Sequence, residues 1–451
     1  MRFLGHRFIY LLLPCLLASL TLIISPVTSF AAQAPRKFAD LERLPQNGTS
    51  YLPADLDAPL ADYVNQVVYA EEYLRLHFAP WQSDDLSFLD LTFDKLAVYH
   101  KSLVKKQWYS ADGNPMERRS IDGIAVNGAI DENAVPRPGI IIQPVDVRVL
   151  PYDKPVHESR AIALGTNGLL RLDFLQNSTA RLGEPLAIFG ASADSNWVFI
   201  ATGTVVGWVK ASSVAVVEDD FIDRFMYSEK AVIAREHLEV TGEQGKLLYK
   251  LKLGTVLPIE DGELLLPVRG KNGFADLIRC KPGPDIAQPF PMRFTPRNAA
   301  LAIEQIIGEP YGYGGSSGFR DCSSTMKDYF TLFGIWLPRN SADQAMTGER
   351  ILLKDLPAGE RSDVIVNRGV PFATLIQMPG HIMLYIGARD GEPLVFHNMW
   401  GVGIRGGRAV VGRAVVTTLK IGAEIPDKPA NSLLLDRVAV MSFPMPDLSN
   451  R

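Results

Sequence analysis

Cys322 is the residue in this chain best placed to do chemistry. It lies in the stretch Tyr311–Phe333, YGYGGSSGFRDCSSTMKDYFTLF. Asp321 stands where a helix N-cap belongs, and Cys322, Met326, Tyr329, Phe330 and Phe333 then recur at helical spacing. Gly334 and Pro338 supply a stop. A cysteine on the first turn of a half-buried helix feels the positive end of the helix dipole, which favours a thiolate. Upstream, Gly308, Gly312, Gly314, Gly315 and Gly318 make a loop that can bend sharply and approach other groups closely. Downstream, His381 opens the strand-like run HIMLYIG and His397 ends the next one, LVFH. A thiol activated by an imidazole that a second group orients is one form of the nucleophile, base and orienter arrangement.

The same residues admit blander roles. Cys322 could be an inert core thiol with two ordinary histidines. One Cys and two His are legitimate zinc ligands, although no CxxC, HxxxH or obvious fourth ligand accompanies them. The glycines suggest a phosphate cradle, but the Lys and Ser/Thr that end a P-loop are missing and Asp321 would repel a phosphate.

Four motifs in order resemble the NlpC/P60 cysteine peptidases of bacterial cell-wall peptides. They are Tyr311-Gly312-Tyr313-Gly314-Gly315, then Asp321-Cys322-Ser323, then Leu337-Pro338-Arg339-Asn340-Ser341-Ala342-Asp343-Gln344, and finally Gly380-His381 with His397 one strand later. The acidic Gly-Asp-Leu usual before the histidine strand is replaced by Asp363-Val364-Ile365 and a longer insert through Pro379. The resemblance implies an α+β, papain-like core in which Cys322 attacks, His381 shuttles the proton and His397 orients His381. It further implies an oxyanion held by the Cys322 N–H and the Tyr311 hydroxyl, and no metal or organic cofactor. The partners it implies are peptidoglycan stem peptides or muropeptides, cut between γ-D-glutamate and a diamino acid such as diaminopimelate. Asp321, Ser323 and Ser341 would hold a free L-alanine amine, favouring released peptides over polymer. Two other classes stay open. One is a thiol amidase or acyltransferase on the same core. The other is a non-catalytic wall-binding protein, which predicts a lost Cys or His, and neither is lost.

The two histidines must share a face of the sheet. Strand side chains alternate, so register decides. A two-residue turn at Asp390-Gly391 would pair His397 with Leu384, on the wrong face. A loop of roughly five residues around Asp390 pairs it with Met383 instead, and that loop is expected.

The remaining chain supplies positioning elements. Residues 1–31 read as a secretory signal, with Arg2 and Arg7, an apolar run and cleavage near Ala31, which implies a periplasmic or secreted protein. Its removal takes two basic residues and no acidic one, moving the net charge from −4 to −6. No Lys/Arg run points to nucleic acid, and no stop-transfer cluster points to a stable membrane span. Cys280 and Cys322 are the only cysteines left, too few for a disulfide scaffold, and both are expected free. Residues 32–134 read as mainly helical, with Val64, Val67, Val68 and Leu74 forming an apolar stripe and Trp81 and Trp108 serving packing. This segment resembles the stabilising domain that accompanies some NlpC/P60 enzymes. Residues 138–217 alternate in short runs such as Trp197–Ile200 and Gly207-Trp208-Val209, a pattern similar to a bacterial SH3-like barrel. Residues 218–283 read as a second, degenerate one. A proline-rich connector leads to the catalytic domain at 290–445. The expected architecture is therefore multidomain: a helical segment, two small barrels and a C-terminal α+β peptidase domain.

Overall fold

Asp62 caps the longest helix of the N-terminal segment, its carboxylate accepting from the N–H groups of Val64 and Asn65, and Tyr63–His77 follows. The helix is where the sequence puts it, but its buried face is not. In this computed structural model Val64 and Val68 are 71% and 55% exposed, while Gln66, Ala70 and Tyr73 are buried. Gln66 explains the difference. Its amide donates to the carbonyls of Met292 and Phe333, and its oxygen accepts from the Phe294 N–H. The helix is thus fastened by a buried polar residue whose partners lie more than two hundred residues away, which apolar periodicity cannot reveal. Trp81 and Trp108 do serve packing, and their indole N–H groups donate to Gly139 O and Leu103 O. The structure describes residues 37–445 except 84–85, 90, 92, 132, 237, 242–246, 284 and 427. The signal expected at 1–31 lies outside the described residues.

Two β units follow. In the first, seven antiparallel strands stand in the order Gln176–Ala180, Val145–Arg148, Val206–Lys210, Trp197–Thr202, Pro185–Ala191, Arg137–Ile141 and Val214–Val216. An insertion interrupts it after Arg148. That insertion carries the helix Arg160–Leu164, capped by Ser159 and ended by Gly165 in the left-handed region. The second unit is a five-stranded sheet from Lys230–Ile233 to Ala287–Pro289, with a separate hairpin of Leu238–Thr241 and Leu247–Leu251. The proline-rich stretch is more than a connector: Ala287–Pro289 pairs with Lys230–Ile233 as an edge strand, the position where proline is tolerated.

The C-terminal unit has one six-stranded antiparallel sheet. Its order is Glu349–Leu352, Val440–Phe443, Leu375–Met378, His381–Arg389, Glu392–Ile404, Gly407–Thr418. Cys322–Thr331 packs its apolar stripe on this sheet; Met326, Tyr329, Phe330 and Phe333 share one core with Ile382, Leu384 and Phe396. The core extends to Phe38, Leu60 and Tyr73 of the N-terminal segment. Asp363-Val364-Ile365 forms part of a helix, Ala358–Arg368, with Ile365 buried.

A buried charge cluster ties the three units together just before the nucleophile. Arg320 is 2% exposed and pairs with Glu236 of the second β unit and with Glu309 and Asp328 of its own. Arg181 of the first β unit also pairs with Asp328, and Lys252 of the second pairs with Glu236 and Glu309. Three cations against three carboxylates leave the cluster neutral, which is what makes burying it tolerable.

Candidate active site

Asp321 starts the nucleophile helix with a capping box: its carboxylate accepts from the Ser324 N–H at 2.8 Å, and the Ser324 hydroxyl accepts from the Asp321 N–H. Cys322 is the first helical residue and is 6% exposed. The Ile382 and Ser323 N–H groups are near enough to its sulfur to favour a thiolate, which sets the thiol close to the strand that His381 opens.

The two imidazoles meet, by a route the sequence reading did not foresee. Arg389 pairs with Glu392, so the hairpin closes in a two-residue turn at Asp390-Gly391, both with positive φ, and the expected five-residue loop is absent. A β-bulge between Tyr385 and Gly387 provides the odd residue. Past the bulge Leu384 stands opposite Phe396, and the same register sets His397 against Met383. The strand does not stop at His397 but runs on to Ile404. His381 Nε2 and His397 Nδ1 are 2.8 Å apart, and His397 Nε2 lies 3.0 Å from Thr417 Oγ1.

Thr417 sets the direction of this chain. Its hydroxyl donates to Thr418 O at 2.9 Å, so it accepts from His397 Nε2–H. His397 Nδ1 is then an acceptor and takes the His381 Nε2–H. That leaves His381 Nδ1 as an unprotonated base. No feature of the sequence marked Thr417, because its role comes from the neighbouring strand. Thr417→Val keeps the shape and removes the acceptor. It should lower kcat by about tenfold or more with little change in KM, and Thr417→Ser should restore it. Histidine ring-nitrogen NMR of Thr417→Val should show the tautomers changed; an unchanged pattern with unchanged kcat would remove Thr417 from the mechanism.

Burial governs the charge state. It pushes the Cys322 thiol up to about 12, with the Asp321 carboxylate adding to the effect and the N–H groups of Ile382 and Ser323 and the Arg339 charge opposing it. Burial likewise pulls His381 down to about 4, helped by the positive charges of Arg408 and Arg437. The resting pair is therefore a neutral thiol and a neutral imidazole. The helix dipole has the expected sign, but desolvation outweighs it.

A pH dependence follows from the direction of these shifts. His381 and His397 both titrate below their ordinary value because they are buried. On unfolding they return to about 6.5. Between roughly pH 6.5 and 4 the unfolded chain therefore binds more protons, and stability is complete above that window and lost as pH falls through it. Tm should be level from pH 7 to 8 and fall steadily below about pH 6.5. The acid limb of kcat/KM should lie nearer pH 4 than 6.5, and a limb at 6.5 would contradict the burial argument.

Of the residues expected to bind substrate, Tyr311 lines the cleft. Burial raises its phenol, with the Asp321 charge nearby adding to the effect, so it is a neutral donor. Asp321 and Ser323 come together, but around Arg339. Asp321 Oδ2 accepts from Arg339 Nη2 and the Gly314 N–H, and Oδ1 from Ser323, Ser324 and Arg339 Nη1. Both oxygens are filled, so the structure makes Asp321 a helix cap and counter-ion, with no open oxygen for an amine. Arg339 also donates to Ser178 of the first β unit at 2.7 Å. Arg339 lies in a quoted motif, but spacing does not reveal that it neutralises Asp321. Ser341 begins a short helix, Ser341–Gln344, outside this hydrogen-bond network.

The cleft has a volume of about 380 Å³. Tyr311, Tyr313, His381 and Trp400 line it, and Ile162, Leu169, Leu170 and Leu172 of the barrel insertion form one wall. Gly168 lets that wall approach: a Cβ there would stand 2.3 Å from Arg408 O, and its φ of +71° suits glycine alone. Its carbonyl accepts from the Trp400 indole at 2.8 Å. The insertion went unread in the sequence; its Leu-Leu-Arg-Leu run was the available signal. Among the described residues no group of three His, Cys, Asp or Glu could hold a metal, and the facing nitrogens of His381 and His397 bond each other.

A thiol at a helix start, set against a strand-borne imidazole that a second imidazole orients, is the layout of the papain-like thiol hydrolases. Three stretches match described families: the NLPC_P60 stabilising domain at residues 9–132, an SH3 domain of the SH3b1 type at 170–210, and the NlpC/P60 family at 308–405. The C-terminal unit is thus of the NlpC/P60 family, over residues 308–405. It is similar to an NlpC/P60 endopeptidase from Photobacterium damselae subsp. piscicida, with a TM-score of 0.79 and 25% identity over 89% of this chain and 98% of that one. An NlpC/P60 family protein from Bacillus cereus ATCC 10987 aligns at a TM-score of 0.45 and 18% identity, over 68% of this chain and all of that one. Over 55 residues the chain is 44% identical to a gamma-D-glutamyl-L-lysine dipeptidyl-peptidase of Bacillus subtilis (strain 168), which is 12% of this chain and only 19% of that protein.

Proposed function

We propose that this protein is a cysteine endopeptidase of cell-wall peptides, cleaving the bond between γ-D-glutamate and a diamino acid, with diaminopimelate preferred. The observation that carries this reading is the line Thr417–His397–His381, which leaves the Nδ1 lone pair of His381 free on the strand beside the Cys322 thiol. The thiol proton passes to that nitrogen as sulfur attacks the carbonyl carbon. The oxyanion takes hydrogen bonds from the Cys322 N–H and the Tyr311 hydroxyl. The imidazolium returns the proton to the leaving amine, and water, deprotonated by the same ring, releases the acyl group. The family membership supports hydrolysis, and the name of the short Bacillus subtilis match supports a γ-D-glutamyl bond.

A further part of the proposal is a preference for peptides with a free N-terminal L-alanine. The wall from Ile162 to Leu172 supports it, because it lines the cleft where it would obstruct a stem still joined to its sugar. The chain would act in the periplasm or outside the cell, after cleavage near Ala31. The test is digestion of L-Ala-γ-D-Glu-diaminopimelate, its N-acetyl form and intact sacculi, with products read by mass spectrometry. Release of L-Ala-γ-D-Glu from the free peptide is expected, at a rate at least about tenfold above the acetylated one. Equal rates would remove the free-amine preference, and no hydrolysis of any of the three would remove the reading.

A further inference from the structure

The cleft contains two positive charges that the proton-transfer line does not use. Arg408 lies on the strand Gly407–Thr418 and Arg437 ends the short helix Leu434–Arg437, and both line the cleft that His381 faces. Arg408 donates to Gly401 O at 3.0 Å and keeps its other donors. Among the described residues neither guanidinium has a carboxylate within ion-pair distance. Asp436, next to Arg437, is turned to the Leu433 N–H as a cap. Among the described residues no acidic side chain lines the cleft. Both guanidinium charges are close enough to disfavour protonation of His381. Both side chains are exposed, so their free donors are open to a group that a substrate brings into the cleft.

We propose that Arg408 and Arg437 form a carboxylate-binding pair that selects peptides carrying an acid group on each side of the scissile bond. The inference rests on the hydrolase reading above and names its substrate features. A γ-linked glutamate keeps its α-carboxylate free on the acyl side, and a diaminopimelate brings a distal carboxylate on the amine side. A guanidinium fork matches a carboxylate in shape as well as charge. Arg408, whose backbone abuts Gly168 in the wall formed by the barrel insertion, is assigned to the acyl side. Arg437, from the catalytic unit, serves the diamino acid.

The test uses the full chain, as wild type, Arg408→Gln and Arg437→Gln, and three peptides. These are L-Ala-γ-D-Glu-diaminopimelate, the same peptide with the glutamate carboxylate amidated, and the same peptide with lysine in place of diaminopimelate. Wild type should lose about tenfold or more in kcat/KM on each neutralised peptide. Arg408→Gln should level only the acid and amide pair, and Arg437→Gln only the diaminopimelate and lysine pair. Variants that fold normally and keep the wild-type ratios would overturn the proposal, and levelling of the opposite pairs would overturn the placement. If wild type cleaves none of the peptides, the hydrolase reading fails separately. Calorimetry with the first peptide and Cys322→Ala then decides the subsite. About tenfold weaker binding on adding either arginine change supports it, and unchanged binding overturns it.

Discussion

Cys322→Ala and Cys322→Ser should each lose at least about a thousandfold in kcat/KM, because without the thiol the covalent route is gone and only positioning remains. The fold should survive in both, since the residue replaced is small and the packing of the helix rests on Met326, Tyr329 and Phe330 below it. Circular dichroism and an unchanged elution volume would show this. Cys280→Ser should stay fully active: Cys280 ends the strand Ala275–Cys280 of the second β unit, and both cysteines are free. A dead but normally folded Cys280→Ser would reverse the assignment of roles.

Arg320→Met should destabilise the protein by about 3–5 kcal/mol, the cost of leaving buried carboxylates short of their cation. That corresponds to a fall in Tm on the order of 10 °C. Glu236, Glu309 and Asp328 would then face only Arg181 and Lys252. Activity should fall as well, because the loop two residues before the nucleophile would shift once its side-chain ion pairs are gone, and with it the Arg320 carbonyl that accepts from Asn398, next to His397. The contrasting case is Arg297→Ala. Its pair with Asp57 is open to water, with side chains 48% and 67% exposed, and Tm should barely move. Thermal melts of the two variants side by side would decide; equal melts would mean that the buried cluster is not structurally important.

What could be read from the sequence was chemistry that sits in one residue or one short run. A cysteine behind a capping Asp, histidines in strand-like runs and the alternation around Trp197 all announce themselves locally. What could not be read was set by partners far away in the chain. Gln66 looks like a surface residue until Met292, Phe333 and Phe294 are placed beside it. Arg339 and Thr417 take their roles from Asp321 and His397 across the fold. The histidine register depended on whether an odd residue sits in the turn or in the strand. Asp390-Gly391 marks a two-residue turn plainly, and Gly387 inside the strand run was the one local hint of a bulge. The barrel insertion carries turn residues and leucines that suit either a loop or a wall, and only the facing Trp400 and Arg408 make it a wall.

The buried charge cluster also has a temporal meaning. Synthesis runs from the N-terminus, so Arg181, Glu236 and Lys252 have left the ribosome before Arg320 is made. The loop that presents the thiol can therefore complete its internal neutralisation only against two units already in place. A gene fragment encoding the peptidase unit alone would carry Arg320, Glu309 and Asp328 without Arg181, Glu236 and Lys252. The unit that carries the thiol is thus completed last, against two β units made before it.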